Sequence, residues 1–414
     1  MASRRMAYCA KALVSAGYEV DVLTVEPEEN HPVYWIDPNE AKLLDKSVVV
    51  HRIPMGIVNR LAARMALGGT RNPNSNGLSD ATYVHGLGSK LYRSRSFWQP
   101  FAVPDASVDW LPGAVIKARS LLRRRGHDLV VTHGNPNTCH LVGYYSLGNR
   151  KVRLVSDYGD AWGTNSMLDH LPRWRKRIDQ FLERRFLKRV DIVTTSSEGI
   201  ARELQLQYGL DCERTFVVPS SFVDIDEYKA IRPLHCPQFT ITYTGNIHHG
   251  IQDPSAFFEA IKRFTANELR VSFAGQVNGS LASFDGSTNP QGVIDLKGCL
   301  GRAEVMQLQR NASVLLLFGI RGAIQIPAKL YEYFAAQRPI LCVAEKQDDP
   351  AAVLVKKHHR GVIVSNGVEE ISSGLRKLLD LHTTGHLDSA FSLEELPDYS
   401  FKGATEKFLR GVLS

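Results

Sequence analysis

Short runs of β-branched and aliphatic residues alternate with amphipathic stretches along nearly the whole chain, in two successive series. In the first, YEVDVLTV, DLVVTH, VRLVSDYG, DIVTTSS and TFVVPSS read as strands of a buried parallel sheet, each bounded by polar or glycine positions. Between them the apolar spacing predicts helices over Met6–Ala16, Pro112–Arg125, Arg173–Arg189 and Glu198–Tyr208, the first stopped by Gly17. Residues 40–110 are the least regular part of the chain. The second series contains FTITYTGN, LRVSFAG, VIDLKG, SVLLLFGI, PILCVAE and GVIVSN, interleaved with helices over Pro254–Thr265, Arg302–Asn311 and PAKLYEYFAAQ.

Strand–helix alternation of this kind, twice over, predicts an α/β protein of two Rossmann-like domains facing each other across a cleft. Pro233 and Pro237 mark the linker, giving an N-terminal domain over 1–232 and a C-terminal domain over 233–395. A last helix within 396–414 is expected to pack back toward the first domain. Ligands of such sheets gather beyond the carboxyl ends of the strands, so the post-strand loops are where chemistry is sought. A doubly wound domain ordinarily opens on a strand, whereas Met1–Arg5 leads straight into a helix. The expectation is therefore that the authentic start lies upstream.

Composition narrows the class. Of the 414 residues 43% are hydrophobic and 22% charged, which suits a globular chain and not a disordered one. No run of about 18 apolar residues occurs, so no spanning helix is expected. The first residues carry two arginines but no apolar signal region. The six cysteines are scattered with no CxxC pair, pointing to reduced thiols and a cytoplasmic chain.

The net charge of +7 is unevenly placed: residues 51–200 hold 23 Lys/Arg against 11 Asp/Glu. Its densest part is Arg173–Arg189. There Trp174, Ile178, Phe181, Leu182 and Phe186 fall at helical spacing and are expected to face the core, leaving Arg175, Lys176, Arg184, Arg185 and Lys188 in solvent. Such a face suits an anionic membrane or an acidic acceptor. Nucleic acid is not expected, since there is no aromatic–basic RNA signature, zinc-finger spacing or leucine zipper.

The most informative segment is IPAKLYEYFAAQRPILCV. Pro327 suits the first turn of a helix, and the free N–H groups of that turn favour an anion such as a diphosphate. Lys329 and Glu332, three apart, share a face. A carboxylate one turn inside the helix can accept two hydroxyl hydrogen bonds from a ribose, although a plain surface Lys–Glu pair has the same spacing. His133 ends a strand and precedes Gly134, while Asp157 and Asp160 lie around the end of the next strand. These acids could orient an acceptor hydroxyl or cap the turn before Trp162. His248 and His249 lack a partner at metal spacing and read as polar loop residues; no metal and no cofactor is called for. Asp224-Ile225-Asp226 reads as a capped turn, and Gly86-Leu87-Gly88 lacks the third glycine of a dinucleotide loop.

PAKLYEYFAAQRPIL resembles the nucleotide-sugar-binding segment of the family 4 glycosyltransferases, a GT-B group. YTGNIHHGIQDP is similar to that family's glycine-bearing phosphate loop, and DLKGCLGRAEVMQLQRNASVLLLF to its strand–loop–helix. SDYGDAW, VVTHGNPNTCHLVG and ASRRMAYCAKALVSAGYEVDVLT resemble first-domain segments, the last without the family's initial strand. The resemblance implies a metal-independent, retaining transfer from a nucleoside-diphosphate sugar to a glycan or lipid-linked acceptor, with cell-envelope polysaccharide assembly the natural setting. It implies Glu332 as the ribose ligand, with Lys329, Gly245, Asn246 and Pro327 near the phosphates. It also implies His133 beside the transferred sugar. The family's paired glutamates are separated by seven residues; the first falls on Ile324, with Gln325 a polar substitute. The family's Arg and Lys after the first strand of the second domain read Asn246 and Ile251. Phosphate charge would then be met by the helix N-terminus, Lys329, Arg321, or Arg4 and Arg5. These departures keep two alternatives open, a non-catalytic nucleotide-sugar-binding homologue and a nucleotide-sugar epimerase.

Overall fold

In the computed structural model the described residues are 2–26, 43–60, 99–165, 168, 171–220, 223–234, 237–247, 251–275, 293–322 and 324–413. The chain divides into two compact units, Met1–Phe222 with Ala404–Ser414, and Val223–Gly403.

The first unit holds two parallel sheets. Strands β1 (Asp21–Val25) and β2 (Val49–Ile53) form a pair, Asp21 opposite Val49. Strands β3 (Leu129–His133), β4 (Arg153–Tyr158), β5 (Ile192–Thr195) and β6 (Thr215–Val217) follow in sequential order. After Arg153, every residue of β4 is buried, as expected of a strand covered on both faces. The helices Leu111–Arg125 and Glu198–Tyr208 both end on a glycine in the left-handed region, Gly126 and Gly209, where a side chain would be strained. The closing helix, Phe401–Leu413, reaches this unit in its later turns. There Arg153 donates to the Val412 carbonyl, and a Cβ on Gly411 would lie 2.7 Å from the Phe216 ring.

The second unit is built on six parallel strands: β7 (Thr240–Thr244), β8 (Arg270–Ala274), β9 (Ile294–Gly298), β10 (Val314–Phe318), β11 (Ile340–Ala344) and β12 (Gly361–Ser365). Their spatial order is β12-β11-β10-β7-β8-β9. Side chains alternate between faces along each strand. Thus Leu316 and Phe318 join Phe257, Phe258 and Phe273 on one side, whereas Leu315 and Leu317 join Leu330, Tyr333 and Phe334 on the other. The chain runs outward from β7 through β8 and β9, then returns to the other side of β7 for β10. That reversal puts a topological switch point between the carboxyl ends of β7 and β10.

Three sequence expectations change. β2 lies in the stretch with no regular pattern, formed from the apolar run around Val48–Val50. The helix of IPAKLYEYFAAQ begins at Lys329 with Ala328 as its cap; Pro327 precedes it, its carbonyl accepting the Leu330 amide. The basic helix, Arg173–Leu187, is turned from the expected orientation: Phe186 is buried and Arg184, Arg185 and Lys188 are exposed as expected, but Trp174, Ile178 and Phe181 are exposed while Arg175, Asp179 and Glu183 are buried. The reason is a paired polar interior. Arg175 Nε donates to Asp179 Oδ2 at 2.8 Å and its Nη1 to the Pro100 carbonyl at 3.2 Å, while Asp179 also accepts Trp162 Nε1. Glu183 accepts the Gly163 amide and the Tyr208 hydroxyl. Buried polar side chains held by such hydrogen bonds can take the place of an apolar face.

Candidate functional site

At the switch point of the second unit, β7 delivers Gly245 and Asn246, and the segment after β10 delivers Lys329 and Glu332. Gly245 has φ +106, and a Cβ there would stand 3.0 Å from Lys329 Nζ, so glycine is what lets the strand end and the lysine meet. Lys329, the first residue of its helix, donates to Tyr243 Oη at 2.5 Å, with Nζ 3.9 Å from the centroid of the Tyr243 ring. Burial lowers its pKa to about 7, while the charge of Glu332 acts in the opposite direction.

Glu332 is one turn into the helix and accepts from Gln309 Nε2 at 3.3 Å. Gln309 is fully buried; it also donates to Thr244 Oγ1 at 2.8 Å and accepts the Tyr228 hydroxyl at 2.6 Å. The Tyr333 hydroxyl receives the Thr244 amide, tying the same helix to the last residue of β7. The strand end and the helix start are thus one hydrogen-bonded frame. Gln325 lies in the segment leading from β10 to this helix and is partly buried. Arg321, after β10, is exposed, with its guanidinium 3.8 Å from Glu345 and 4.0 Å from Asp253. His248 and His249 lie outside the described residues, as does Gly86-Leu87-Gly88. Asp224 caps the short helix Ile225–Lys229 by accepting the Asp226 amide, the turn that its sequence suggested.

In the first unit, β3 and β4 bring His133 and Asp157 together. The two are paired in register, and His133 Nδ1 lies 2.6 Å from Asp157 Oδ2. Asp157 has no exposed surface. It also accepts Arg5 Nε at 2.7 Å, Arg5 Nη2 at 2.6 Å and Thr194 Oγ1 at 2.6 Å. Burial alone would raise its carboxyl, but the Arg5 charge, the Arg5 hydrogen bonds and the His133 bond outweigh it and hold the group far below the usual carboxylate range. An ionised carboxylate only accepts, so Nδ1 of His133 carries the proton. In the neutral imidazole the lone pair is then on Nε2. Asp160, after β4, accepts from Asn135 at 3.2 Å and is partly exposed.

Two sequence expectations are corrected here. Arg5 is 3% exposed and also donates to the carbonyls of Val218 and Pro219, so it is an internal counter-ion for Asp157 and not a phosphate ligand. Asp157 is saturated by four donors, so it orients His133 and does not meet a substrate hydroxyl. Arg4 lies with its guanidinium carbon 5.9 Å from the Tyr8 ring centroid. Sequence reading missed Tyr243, Gln309 and Thr194. Only Gln309 left a trace, a polar residue three after Met306 on the inward stripe of its helix.

Comparison with known proteins follows the same lines. A family model described as glycosyl transferase 4-like domain matches residues 2–220. Curated protein sequences give no match. Among solved structures, a glycosyltransferase from Rickettsia africae ESF-5 aligns with a TM-score of 0.62 at 12% identity, over 99% of this chain and 90% of its own. Anabaena Alr3699/HepE in complex with UDP aligns with a TM-score of 0.56 at 12% identity, over 95% and 96%. Sucrose-phosphate synthase from Thermosynechococcus elongatus gives 0.55 at 13%, over 98% and 87%. With more than half of its length matched by the family model and its two parallel-sheet units shared with these structures, the chain belongs to the glycosyl transferase 4-like family and has the GT-B fold.

Proposed function

We propose that this glycosyltransferase takes its sugar from a nucleoside diphosphate bound by the second unit, and passes it to a lipid-linked or glycan acceptor served by the first. The observation that carries this reading is the convergence of Lys329, Gly245 and Glu332 at the β7/β10 switch point. Lys329 and the first N–H groups of its helix meet the diphosphate, with Asn246, Gln325 and Pro327 around it, and Glu332 accepts the ribose hydroxyls. As the anomeric carbon–oxygen bond breaks, the diphosphate leaves with its charge neutralised by Lys329 and the helix dipole. The acceptor oxygen bonds to the anomeric carbon and passes its proton to the departing diphosphate oxygen.

This charge stabilisation needs no metal, and retention at the anomeric carbon rests on the family resemblance. By the family resemblance, His133, held by Asp157 through Nδ1, serves the transferred sugar, and Asp160 orients the acceptor. The five free cysteines among the described residues suit a reducing, cytoplasmic compartment, and cell-envelope polysaccharide assembly is the setting we favour.

The test is a thermal-shift screen of UDP-, GDP-, TDP- and ADP-sugars, followed by nucleoside-diphosphate release over an acceptor panel. A stabilising nucleotide sugar and acceptor-dependent release are expected. Binding without release across the panel would favour the non-catalytic reading, which Ile324 in place of the family's first glutamate motivates. Conversion of the nucleotide sugar without acceptor would identify an epimerase.

A further inference from the structure

The exposed aromatic residues of the basic helix have a consequence separate from the nucleotide-sugar site. Along Arg173–Leu187 and into Lys188, Trp174, Ile178, Phe181, Arg185 and Lys188 recur every three or four residues and form one exposed stripe. Trp174 is 42% exposed, Ile178 40% and Phe181 61%; Phe101, 61% exposed, stands with its ring 5.7 Å from Trp174. Arg175 fastens the two segments by donating to the Pro100 and Pro104 carbonyls. Arg173, Arg177 and Arg184 are also exposed. The acids of the helix, Asp179 and Glu183, are both buried on the opposite face, so its outer face is apolar and cationic without an acidic residue. At its C-terminal end Arg184 and Lys188, with Arg214, line a cavity of 380 Å³.

We infer that this face docks on an anionic phospholipid bilayer, with Trp174, Ile178, Phe181 and Phe101 entering the headgroup–acyl boundary and the cations meeting lipid phosphates. Aromatic and aliphatic side chains ringed by Arg and Lys are the chemistry of an interfacial helix. A second copy of the chain fits poorly: a two-fold pairing of this face would set its cations against themselves. Single-stranded nucleic acid is less favoured because Ile178, between the aromatic side chains, offers no stacking surface.

The test is co-sedimentation of the full chain with phosphatidylcholine vesicles, with and without phosphatidylglycerol. Binding should require the anionic lipid and weaken with salt. Each Arg→Gln change at Arg177 or Arg185 should lower vesicle affinity about fivefold, equivalent to about 1 kcal/mol. A W174S/F181S variant, altered only at exposed positions, should lose about tenfold or more and keep its thermal midpoint. Bromine-labelled acyl chains should quench wild-type fluorescence more than that of W174F. Equal binding to neutral vesicles, or undiminished binding by W174S/F181S, would overturn the inference. So would a dimer in light scattering, or capture of poly(U), that W174S/F181S abolishes while vesicles bind no wild-type protein.

Discussion

Lys329 makes nucleotide affinity a function of pH in a defined direction. Burial lowers its pKa to about 7 in the free protein, so near neutrality it is only partly charged. A bound diphosphate stabilises the ammonium and raises that value. Binding therefore takes up a proton above pH 7, and affinity falls as pH rises from about 7 toward the pKa of the complex. If the complexed lysine stays protonated to pH 9, the loss approaches about tenfold per pH unit, or about 2.7 kcal/mol over the two units. Calorimetric titration with UDP between pH 7 and 9 measures this, because the terminal phosphate has already ionised below that range. Buffers with different ionisation heats report the proton taken up. K329M should bind more weakly at pH 7 and lose the slope, while K329R should keep its charge and flatten the profile. A flat wild-type profile, or the same slope in K329M, would refute the role given to this side chain.

Other side chains give further expectations. Gly245→Ala forces a Cβ toward Lys329 Nζ at positive φ, and should cost about 1 kcal/mol of stability and weaken UDP binding, measured by thermal shift and titration. Asp157→Asn leaves the buried Arg5 charge without its ionised partner and should cost about 3–5 kcal/mol in denaturant unfolding; R5M/D157L should recover part of that loss. Burial raises Glu183 to about 7 despite the hydrogen bonds from Tyr208 and Gly163. Because this folded-state value exceeds the unfolded one, the chain loses stability as pH rises from about 4.5 to 7, by at most about 3 kcal/mol. E183Q should flatten that part of the stability profile, and an unchanged profile would contradict the assignment.

Much of this architecture is legible without coordinates, since fully buried strands such as VLLLF and LVSDY have no other reading between amphipathic helices. The helix after β10 and the face shared by Lys329 and Glu332 follow from spacing, although its first turn begins two residues later than Pro327 suggests. What spacing cannot reveal is pairing over long sequence distances. Arg5 and Asp157 are 152 residues apart and Gln309 and Thr244 are 65 apart, so neither bond has a local signature. The same limit hid which part of the Arg173–Leu187 helix turns inward. Periodicity finds its two faces, but only the partners Pro100, Pro104, Trp162, Gly163 and Tyr208 decide which one is inside.

Glu332 is the sharpest point of attack on the whole assignment. Titration of the stabilising nucleotide sugar into Glu332→Ala, beside Glu332→Gln and wild type, isolates the ribose contact. Loss of charge-assisted hydrogen bonds to two hydroxyls should weaken binding about 10- to 100-fold, equivalent to about 1.5–3 kcal/mol, with an unchanged unfolding midpoint and partial retention in Glu332→Gln. Wild-type affinity of Glu332→Ala for every nucleotide sugar would place the donor elsewhere.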